Sequence, residues 1–554
     1  MSLKPPPPSS TSHIESKSHS ATTDLEKQHH ANASTPTLDI LELDLEKLGK
    51  ERPAVFGGSA FREVVFCSSL LISMLMAEFF ISGFNIILPD VSRALKIPHA
   101  SQTWPASVFS LVTGAFLLPL GRVADIYGAY VVFTSGLVWF FLWTFISGFA
   151  TNYTMLIATR ALGGFGPAAF LPSTIMLVAK TYRPGPRKNL VFGLYCAFAP
   201  IGFFLGIIIG GTVTQLLTWR WYFWLGSIVM FITCVMAFIT VPNDLKQTRM
   251  ENANVRMDWW GVLTVVPGLV LVTFAITDGG HAPQGWKTPY ILATFIVGVL
   301  FLAVWVYVEG WVAEQPLLPF DLFKPKYMGR LTVSLFFAYG VFGIFLYYAS
   351  LHISEYMHAT ALKTAVWFSP MAAGGIILAT VGGFTLHLLP GRVVLIISGL
   401  GSIVSVLLFA VIPENGNYWA YVFPSMVGAT VGVDITYLVS NTFITANVPR
   451  HRQGVAGGLI NSLLFLGISF FLGLADLAVS ENDKRDPGGM GHKVAFWFAT
   501  ACAGVTFLIF LTIPMPKAES QLTIEEQEER EQRARALESM GQSSGEKSMS
   551  YAST

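Results

Sequence analysis

Charged side chains are scarce in this chain. Asp, Glu, Lys and Arg make up 12% of its 554 residues, against about 25% in a typical soluble protein. The net charge is only +1, so the excess of one sign that favours a nucleic acid or another charged polymer as a partner is missing. This balance argues against a soluble protein and against a nucleic-acid-binding one.

Several chemical signatures are also missing. The sequence holds no G-x-x-x-x-G-K-[ST] loop, which predicts that the chain does not use ATP or GTP. It holds no His cluster and no Ser/His/Asp order, so we expect neither an enzyme nor a bound cofactor. The few cysteines lie in apolar segments without the spacing of metal ligands, so neither a metal site nor a disulfide is predicted. They are Cys67, Cys196, Cys234 and Cys502.

What the chain has in abundance is apolar segments. Hydrophobic residues make up 53% of it, and fourteen segments approach or exceed the roughly 20 apolar residues that a membrane-spanning helix needs. The sequence therefore predicts an all-α integral membrane protein with fourteen transmembrane helices. The segments are 64–88, 102–120, 128–149, 153–180, 188–215, 221–242, 259–278, 289–308, 328–351, 364–389, 391–412, 417–442, 453–478 and 493–514.

The two ends of the chain are polar and lie outside these segments. Residues 1–62 are rich in Ser, Thr, Pro and His and are predicted to be a disordered tail, and residues 516–554 form a second tail rich in Glu, Gln and Arg. An even number of spans places both tails on one side. Lys and Arg are more frequent in the loops of that side, which predicts cytoplasmic termini for a multi-pass protein of the cell membrane.

A faint internal repeat divides the chain. Gly121-Arg122 follows the second segment and Gly391-Arg392 follows the tenth. Each pair occupies the same place in a six-helix unit, which predicts an N-terminal bundle over 63–242 and a C-terminal bundle over 323–515. Two extra central helices then lie in 243–322. Two six-helix halves around a central cavity are typical of transporters.

The first candidate site is the polar stretch from Gly121 to Gly128, which we expect to be a short turn. Its two glycines permit a tight turn and a close approach of helices. Asp125 can face the positive N-terminus of a neighbouring helix, an interaction of about 0.3–2 kcal/mol. With Arg122, these residues are the predicted gate.

Three ionisable side chains lie well inside predicted spans, away from the span ends, where such residues are costly and are functional by default. Glu78 lies in the first span, where proton exchange and a static ion pair with Arg160 are both open. Arg160 lies in the fourth span and is expected to face a cavity rather than the membrane surface. Asp434, in the twelfth, is read as the only acid deep in the C-terminal bundle. A role in the cavity is preferred for Asp434 over a structural hydrogen bond.

Small residues recur at four-residue spacing in the fifth span. Gly202, Gly206 and Gly210, followed by Gly211, allow a neighbouring helix to approach closely. Simple helix packing and a role in transport are both open for this stripe.

These motifs together resemble the major facilitator superfamily. The stretch Gly121 to Gly128 is similar to its G-x-L-A-D-R-x-G-R-K loop between the second and third helices, which implies a latch between the two bundles. Leu156-x-x-x-Arg160-x-x-Gly163 resembles a second family motif, which implies a role for Arg160 in proton coupling. The glycine stripe resembles the antiporter motif G-P-x-x-G-G, with Ile207 where the proline is expected, so the direction of transport stays open.

Two further stretches narrow the resemblance to one branch. Residues 218–224, T-W-R-W-Y-F-W, are similar to a sequence common in the fourteen-helix drug:proton antiporters. Gly432-Val433-Asp434, followed by V-P-R-H-R-Q-G-V-A at 448–456, resembles a fungal subgroup related to aminotriazole and boron resistance proteins. The resemblance covers about residues 60–515. It implies a monomeric exporter of a small organic compound, such as a toxin, drug or secondary metabolite, driven by proton entry.

Other functions are not excluded by the sequence. Proton-coupled uptake, transport of a small inorganic solute and a non-transporting membrane sensor all remain alternatives, although the short C-terminal tail argues against the sensor.

His352 and His358 are expected to be outer-loop residues. Six aromatic residues are candidates to line a cavity for a planar apolar substrate, with packing between helices the more common role of such side chains. They are Phe79, Phe80, Phe336, Phe337, Tyr339 and Tyr347.

Overall fold

The described part of the chain is built from helices. A computed structural model describes residues 52–182, 186–242, 255–385, 389–413, 416–446, 448, 453–485 and 491–515. Most of the predicted N-terminal tail, all of the C-terminal tail and residues 449–452 of the V-P-R-H-R-Q-G motif lie outside these ranges. Fourteen of the described helices are long and apolar enough to cross a membrane, which confirms the prediction.

The membrane-crossing helices are numbered here in chain order. They are α1 (Ala60–Leu95), α2 (Trp104–Tyr127), α3 (Ala129–Ser147), α4 (Tyr153–Thr181), α5 (Pro186–Leu216), α6 (Arg220–Thr240), α7 (Trp259–Gly279), α8 (Pro289–Tyr307), α9 (Met328–Leu351), α10 (Ala361–Thr385), α11 (Gly391–Val411), α12 (Phe423–Ala446), α13 (Gln453–Arg485) and α14 (His492–Leu511).

Helix α1 begins earlier than the apolar pattern indicates. Its N-cap is Ser59, whose side chain accepts a hydrogen bond from the backbone N–H of Arg62. Before it, Arg52 Nε donates to Glu63 Oε2 at 2.7 Å, and Arg187 of α5 donates to the same carboxylate at 2.6 Å. The predicted tail 1–62 is therefore too long at its C-terminal end, because polar contacts that no hydropathy pattern reveals hold residues 52–62 against the bundle.

The helices form two bundles with an insertion between them. Helices α1–α6 pack with one another, as do α9–α14, and the inserted pair α7 and α8 lies outside both. Helix α7 contacts α2 of the first bundle and α13 of the second, while α8 packs mainly on α7. The insertion thus lies across the seam where the bundles meet.

Two seams join the bundles, one between α2 and α13 and the other between α5 and α10. Throughout, "terminal side" means the side of the membrane on which α1 begins, and "far side" the opposite one. Along the first seam, a Cβ on Gly114 would lie 2.7 Å from Leu466 Cγ, and one on Gly458 would lie 3.1 Å from Leu118 Cδ2. Small residues therefore let α2 and α13 pack closely along much of their length.

The two bundles also meet on the far side. Ser350 Oγ of α9 donates to the carbonyl oxygen of Asn85 in α1 at 2.9 Å. Gly211 of α5 faces α10, where an added Cβ would lie 2.7 Å from the carbonyl oxygen of Ala361. These contacts close the far side of the protein in this conformation.

The stretch from Gly121 to Gly128 is not the turn that the sequence suggested. Helix α2 continues through it to Tyr127, and only Gly128 leaves the helix, with φ of 98°. This left-handed value favours glycine, and its N–H bonds to the carbonyl oxygen of Ala124 at 2.9 Å. The predicted turn is wrong for residues 121–127, because polar residues are compatible with a helix end that projects from the membrane.

The insertion is tied to different bundles at its two ends. On the far side, His281 Nε2 lies 2.9 Å from Asp476 Oδ2 of α13, and Ser480 Oγ of α13 donates to the carbonyl oxygen of Gly280 at 2.7 Å. On the terminal side, Arg122 of α2 donates to Gln315 Oε1, just after α8, at 2.7 Å. The inserted helices are therefore fastened to the second bundle at one end and to the first at the other.

The His281–Asp476 contact predicts a pH-dependent stability. The hydrogen bond to Asp476 raises the pKa of His281 above its usual value, against the opposing effect of burial. Because the folded-state pKa is the higher one, this stabilisation is complete below the unfolded value of about 6.5 and is lost as pH rises through the folded pKa.

We expect the melting temperature of His281→Asn to fall below that of the unaltered protein by on the order of 1–2 °C at acidic pH. The difference should vanish at alkaline pH. Thermal unfolding of the purified protein between acidic and alkaline buffers measures it. A constant difference at every pH would show that the imidazolium contributes nothing. Asp278 and Lys484 also act on His281, so both stay unchanged in this comparison.

Candidate functional site: a cavity between the bundles

A cavity of about 490 Å³ lies between the two bundles. Its walls come from α1 and α5 on one side and mainly from α9 to α12 on the other. It extends from Glu78, near the middle of α1, to Leu389 at the terminal-side start of α11. The contacts that join the bundles on the far side lie beyond its closed end.

The lining of the cavity is mostly apolar. Phe192, Phe203 and Phe342 contribute aromatic walls, with Pro200 and Met371 between them. This composition is typical of sites for small organic molecules. The six aromatic residues singled out in the sequence do not line the cavity. Phe79, for example, stacks on Tyr222 with ring centroids 4.8 Å apart, in keeping with the packing role.

Glu78 is one of two carboxylic acids in the lining. It lies on α1 between the buried residues Ala77 and Phe79 and is itself only partly buried. Asp434 is the charged group that interacts electrostatically with Glu78. Glu78 and Arg160 form no ion pair, so the static pairing that the sequence left open is absent in this conformation.

Asp434 is the second acid, contributed by α12 from the opposite bundle. Thr430, one turn earlier, donates its hydroxyl to Asp434 Oδ2 at 2.6 Å. Gly375 of α10 leaves room for the carboxyl, since an added Cβ would lie 3.0 Å from the same oxygen. Asp434 therefore combines the two roles that the sequence weighed as alternatives, a place in the cavity and a local hydrogen bond.

Arg160 lies in the core of the first bundle and not in the cavity lining. Only 4% of it is exposed. Its Nε donates to the carbonyl oxygen of Pro105 at 2.5 Å, and its guanidinium lies 3.5 Å from the centroid of the Phe84 ring. A backbone acceptor and an aromatic face together stabilise a cation that membrane burial would otherwise make costly.

The glycine stripe of α5 faces two different helices. Gly202 and Gly206 pack on α1, where an added Cβ would lie 2.7 Å from Leu75 Cα and 2.5 Å from the Phe79 carbonyl oxygen. Gly210 faces Gly83, which also belongs to α1. Gly211 instead faces α10 across the seam between the bundles. The stripe thus positions Glu78 beside α5 and also brings the bundles together.

The predicted gate lies on the terminal side, apart from the cavity. Arg122 makes its side-chain bonds to Gln315 and to the carbonyl oxygen of Arg256, the latter at 3.2 Å. Asp125 lies one turn further along α2, within the electrostatic reach of Arg122 and Lys180. In this conformation Arg122 therefore contacts the segments that flank the insertion.

The sequence profile of the major facilitator superfamily matches residues 70–472, which is most of the chain, from α1 into α13. The chain is a member of this superfamily. Its small-molecule carriers place their substrates between two bundles, which is where the cavity lies. Membership points to a transporter rather than an enzyme.

Fungal members of the superfamily are similar over nearly the full length. The chain is 31% identical to the low affinity ammonium transporter of Saccharomyces cerevisiae, over 85% of this chain and 91% of that one. It is also 31% identical to the aminotriazole resistance protein of the same yeast, over 81% and 83%. Identity to efflux pump terJ of Aspergillus terreus is 28%, over 84% and 90%. These relatives confirm the fungal subgroup to which the motifs pointed.

Two solved transporter structures share the fold. A peptide transporter in complex with sulfate superposes with a TM-score of 0.59 at 17% identity, covering 86% of this chain and 99% of that one. A nucleoside transporter gives 0.55 at 14% identity, over 81% and 98%. At such identities the likeness concerns the fold alone.

Several buried polar groups of this transporter escaped the sequence analysis. His352 is 2% exposed, and its Nδ1 lies 2.8 Å from Nε2 of His492 at the start of α14, so its expected place in an outer loop is wrong. Asp476 is buried as well, which corrects the reading of Asp434 as the only acid deep in the second bundle. Asp476 lies close to the predicted end of this span at 478, whereas α13 continues to Arg485. The sequence therefore did not show that Asp476 lies well inside a helix.

Proposed function

We propose that this protein exports a small organic compound by alternating access, coupled to the entry of protons. One observation carries the proposal: Glu78 and Asp434, from opposite bundles, line a single cavity. A proton or a substrate bound at either acid changes the charge that both bundles face. Binding there is therefore able to shift the balance between conformations, as coupling requires.

The side to which the cavity opens is compatible with export. With the cytoplasmic termini that the Lys and Arg bias predicts, the cavity opens towards the cytoplasm in this conformation. A cytoplasmic compound then enters from the terminal side and leaves after the bundles rock. The names of relatives such as efflux pump terJ and efflux pump terG support export.

The side chains have separable roles in this cycle. Glu78 and Asp434 hold the proton or the substrate. The glycines of α5 allow α1 and α10 to move against α5. Arg122 and Asp125, with Gly121 and Gly128, control the terminal side. Arg160 serves the proton path from the core of the first bundle.

The proposal is tested in two steps. A strain that lacks the gene is first screened against a panel of toxic organic compounds, including the organism's own metabolites. The strain is expected to be hypersensitive to at least one of them. The purified protein is then placed in sealed vesicles that contain a pH-sensitive dye. Adding that compound should move protons in the opposite direction, and a substrate flux unaffected by collapse of the pH gradient would refute proton coupling.

Uptake is the second candidate, because one relative is a low affinity ammonium transporter and the antiporter motif has Ile207 in place of its proline. In that case the protein would bring a small solute into the cell together with protons. Counterflow in vesicles of known orientation separates the two functions. Export predicts substrate and proton fluxes of opposite direction, and uptake predicts fluxes of the same direction.

The gate can be tested at Asp125. We expect Asp125→Asn to lower the transport rate several-fold without changing the amount of protein in the membrane, because the amide keeps the shape of the side chain but loses the charge that acts with Arg122 and Lys180. Initial rates in vesicles, normalised to the amount of inserted protein, measure this. Equal rates for the two proteins would reduce residues 121–128 to an ordinary helix end.

A further inference from the structure

We propose that the substrate is a protonated amine: an apolar, ring-containing compound with one ammonium group. This inference rests on the proposed transport through the cavity and adds the chemical class of what is carried. The ammonium group lies between Glu78 and Asp434, and the apolar part lies against the aromatic wall formed by Phe192, Phe203 and Phe342. Nothing in the overall fold demands this class, so the argument depends on the charges and hydrogen-bonding groups of this cavity.

The charge of the lining is one-sided. Among the described lining residues, Glu78 and Asp434 are the ionisable carboxyls and no Lys, Arg or His is present. Neither acid has an ion-pair partner within the described ranges. Two carboxylates that share an apolar space repel one another, and each needs a counter-charge or a proton. A cation placed between them satisfies both, whereas an anionic substrate would add a third negative charge.

Phenol groups lie near Glu78, one of them behind the cavity lining and one in it. Tyr339 of α9 is fully buried, and its hydroxyl has no hydrogen-bond partner among the described residues. The acid that acts on it is Glu78, and the neighbouring phenol is Tyr437. Buried hydroxyls are normally bonded. Tyr339 does not line the cavity, so its hydroxyl is no direct ligand; the phenol that does line it is Tyr437. A primary ammonium group offers three donors, enough for the two carboxyls and the Tyr437 oxygen, whereas a quaternary ammonium offers none.

The remaining groups near the acids do not reverse this preference. The phenols and the thiol that face Glu78 or its neighbours are neutral at physiological pH. They are Tyr195, Cys196, Tyr339 and Tyr437. Lys188 lies beside the lining residue Phe192, with its Nζ 5.9 Å from the centroid of that ring. It lies at the opening, away from the two carboxyls, and has interactions of its own.

The test uses three probes of nearly equal shape. These are 2-naphthylethylamine, which is a cation at neutral pH, 2-naphthylethanol, which is neutral, and 2-naphthylacetate, which is an anion. Binding to the purified full-length protein is measured by calorimetry. We expect the amine to bind roughly tenfold or more tightly than the alcohol, the scale of a charge-assisted hydrogen bond, and the acetate not to bind. Binding of the amine should also release protons from the carboxyls into a weakly buffered solution.

Variants assign the effect to the two acids. Glu78→Gln and Asp434→Asn should each remove most of the preference for the amine over the alcohol. The matched control is Asp90→Asn, an acid-to-amide change on the same helix α1 but outside the cavity, where Asp90 pairs with Arg93 at 2.8 Å. It should keep the full preference. The trimethylammonium form of the amine, which has no N–H, should bind more weakly than the amine itself.

The possible results separate this inference from the proposed function. Equal affinity for amine and alcohol, no binding of the amine up to its solubility limit, or a preference that survives in both acid variants would each overturn the amine class. Proton-coupled export of a neutral compound would then still stand. Conversely, acid-dependent binding of the amine without any proton-linked flux in vesicles would support the amine class and refute proton-coupled transport.

Discussion

Replacing Gly202 and Gly206 together with alanine is expected to prevent the first bundle from folding correctly. The new methyl groups would lie 2.7 Å from Leu75 Cα and 2.5 Å from the Phe79 carbonyl oxygen. Both obstacles are backbone atoms of α1, which cannot rotate away as a side chain does. Overpacking of this kind costs about 1–3 kcal/mol per site, and occasionally more. Two such sites in the contact between α1 and α5 should lower the yield of folded protein by roughly tenfold or more.

The matched control for this prediction is Gly193→Ala in the same helix. An added Cβ at Gly193 has nothing within 4 Å, so the variant should fold like the unaltered protein. The measurement is the fraction of monodisperse protein after extraction, together with its melting temperature. Only folding is scored, because Gly193 lines the cavity. Equal yields for the double variant and the control would show that α1 and α5 do not need the close approach.

Much of the fold was predictable because the membrane imposes a simple rule. Each helix must satisfy its own backbone groups within about 20 apolar residues, so composition alone marks the spans. The pairs of predicted segments with the shortest connections, such as 364–389 and 391–412, are indeed separate helices. The rule does not predict where a helix ends once it projects from the membrane, because polar residues are found both in helices and in turns. For this reason α1 begins before its predicted start and α2 runs through the stretch that was expected to turn.

The candidate site was predictable only in part. Glu78 and Asp434 could be found singly, because an ionisable residue inside an apolar span is conspicuous. No sequence pattern could show that these two acids line one cavity, since that depends on how α1 and α12 pack in separate bundles. Aromatic residues are too common here, with 43 Phe in the chain, for the lining to be selected from them. The pairing of His352 with His492 likewise joins segments whose proximity comes only from the packed fold.

Changing both acids, Glu78→Gln and Asp434→Asn, is expected to abolish transport that depends on a pH gradient. An amide keeps the size and most of the polarity of each side chain but cannot gain or lose a proton. If the two carboxyls carry the coupling proton, the double variant has no group in the cavity that responds to the gradient. Each single change should lower the gradient-driven rate by on the order of 10²- to 10⁴-fold, the scale of losing a positioned proton-transfer group.

The reason to measure both variants singly and together is that the two acids line the same cavity from opposite bundles. If they act on the same proton, the double variant should be little worse than the more damaging single one, because effects within one functional unit are not additive. Asp90→Asn controls for the loss of an acid from α1. Gradient-driven flux in vesicles, compared with exchange at equal pH on both sides, isolates the coupling step. Full gradient dependence in both single variants would remove Glu78 and Asp434 from the proton path.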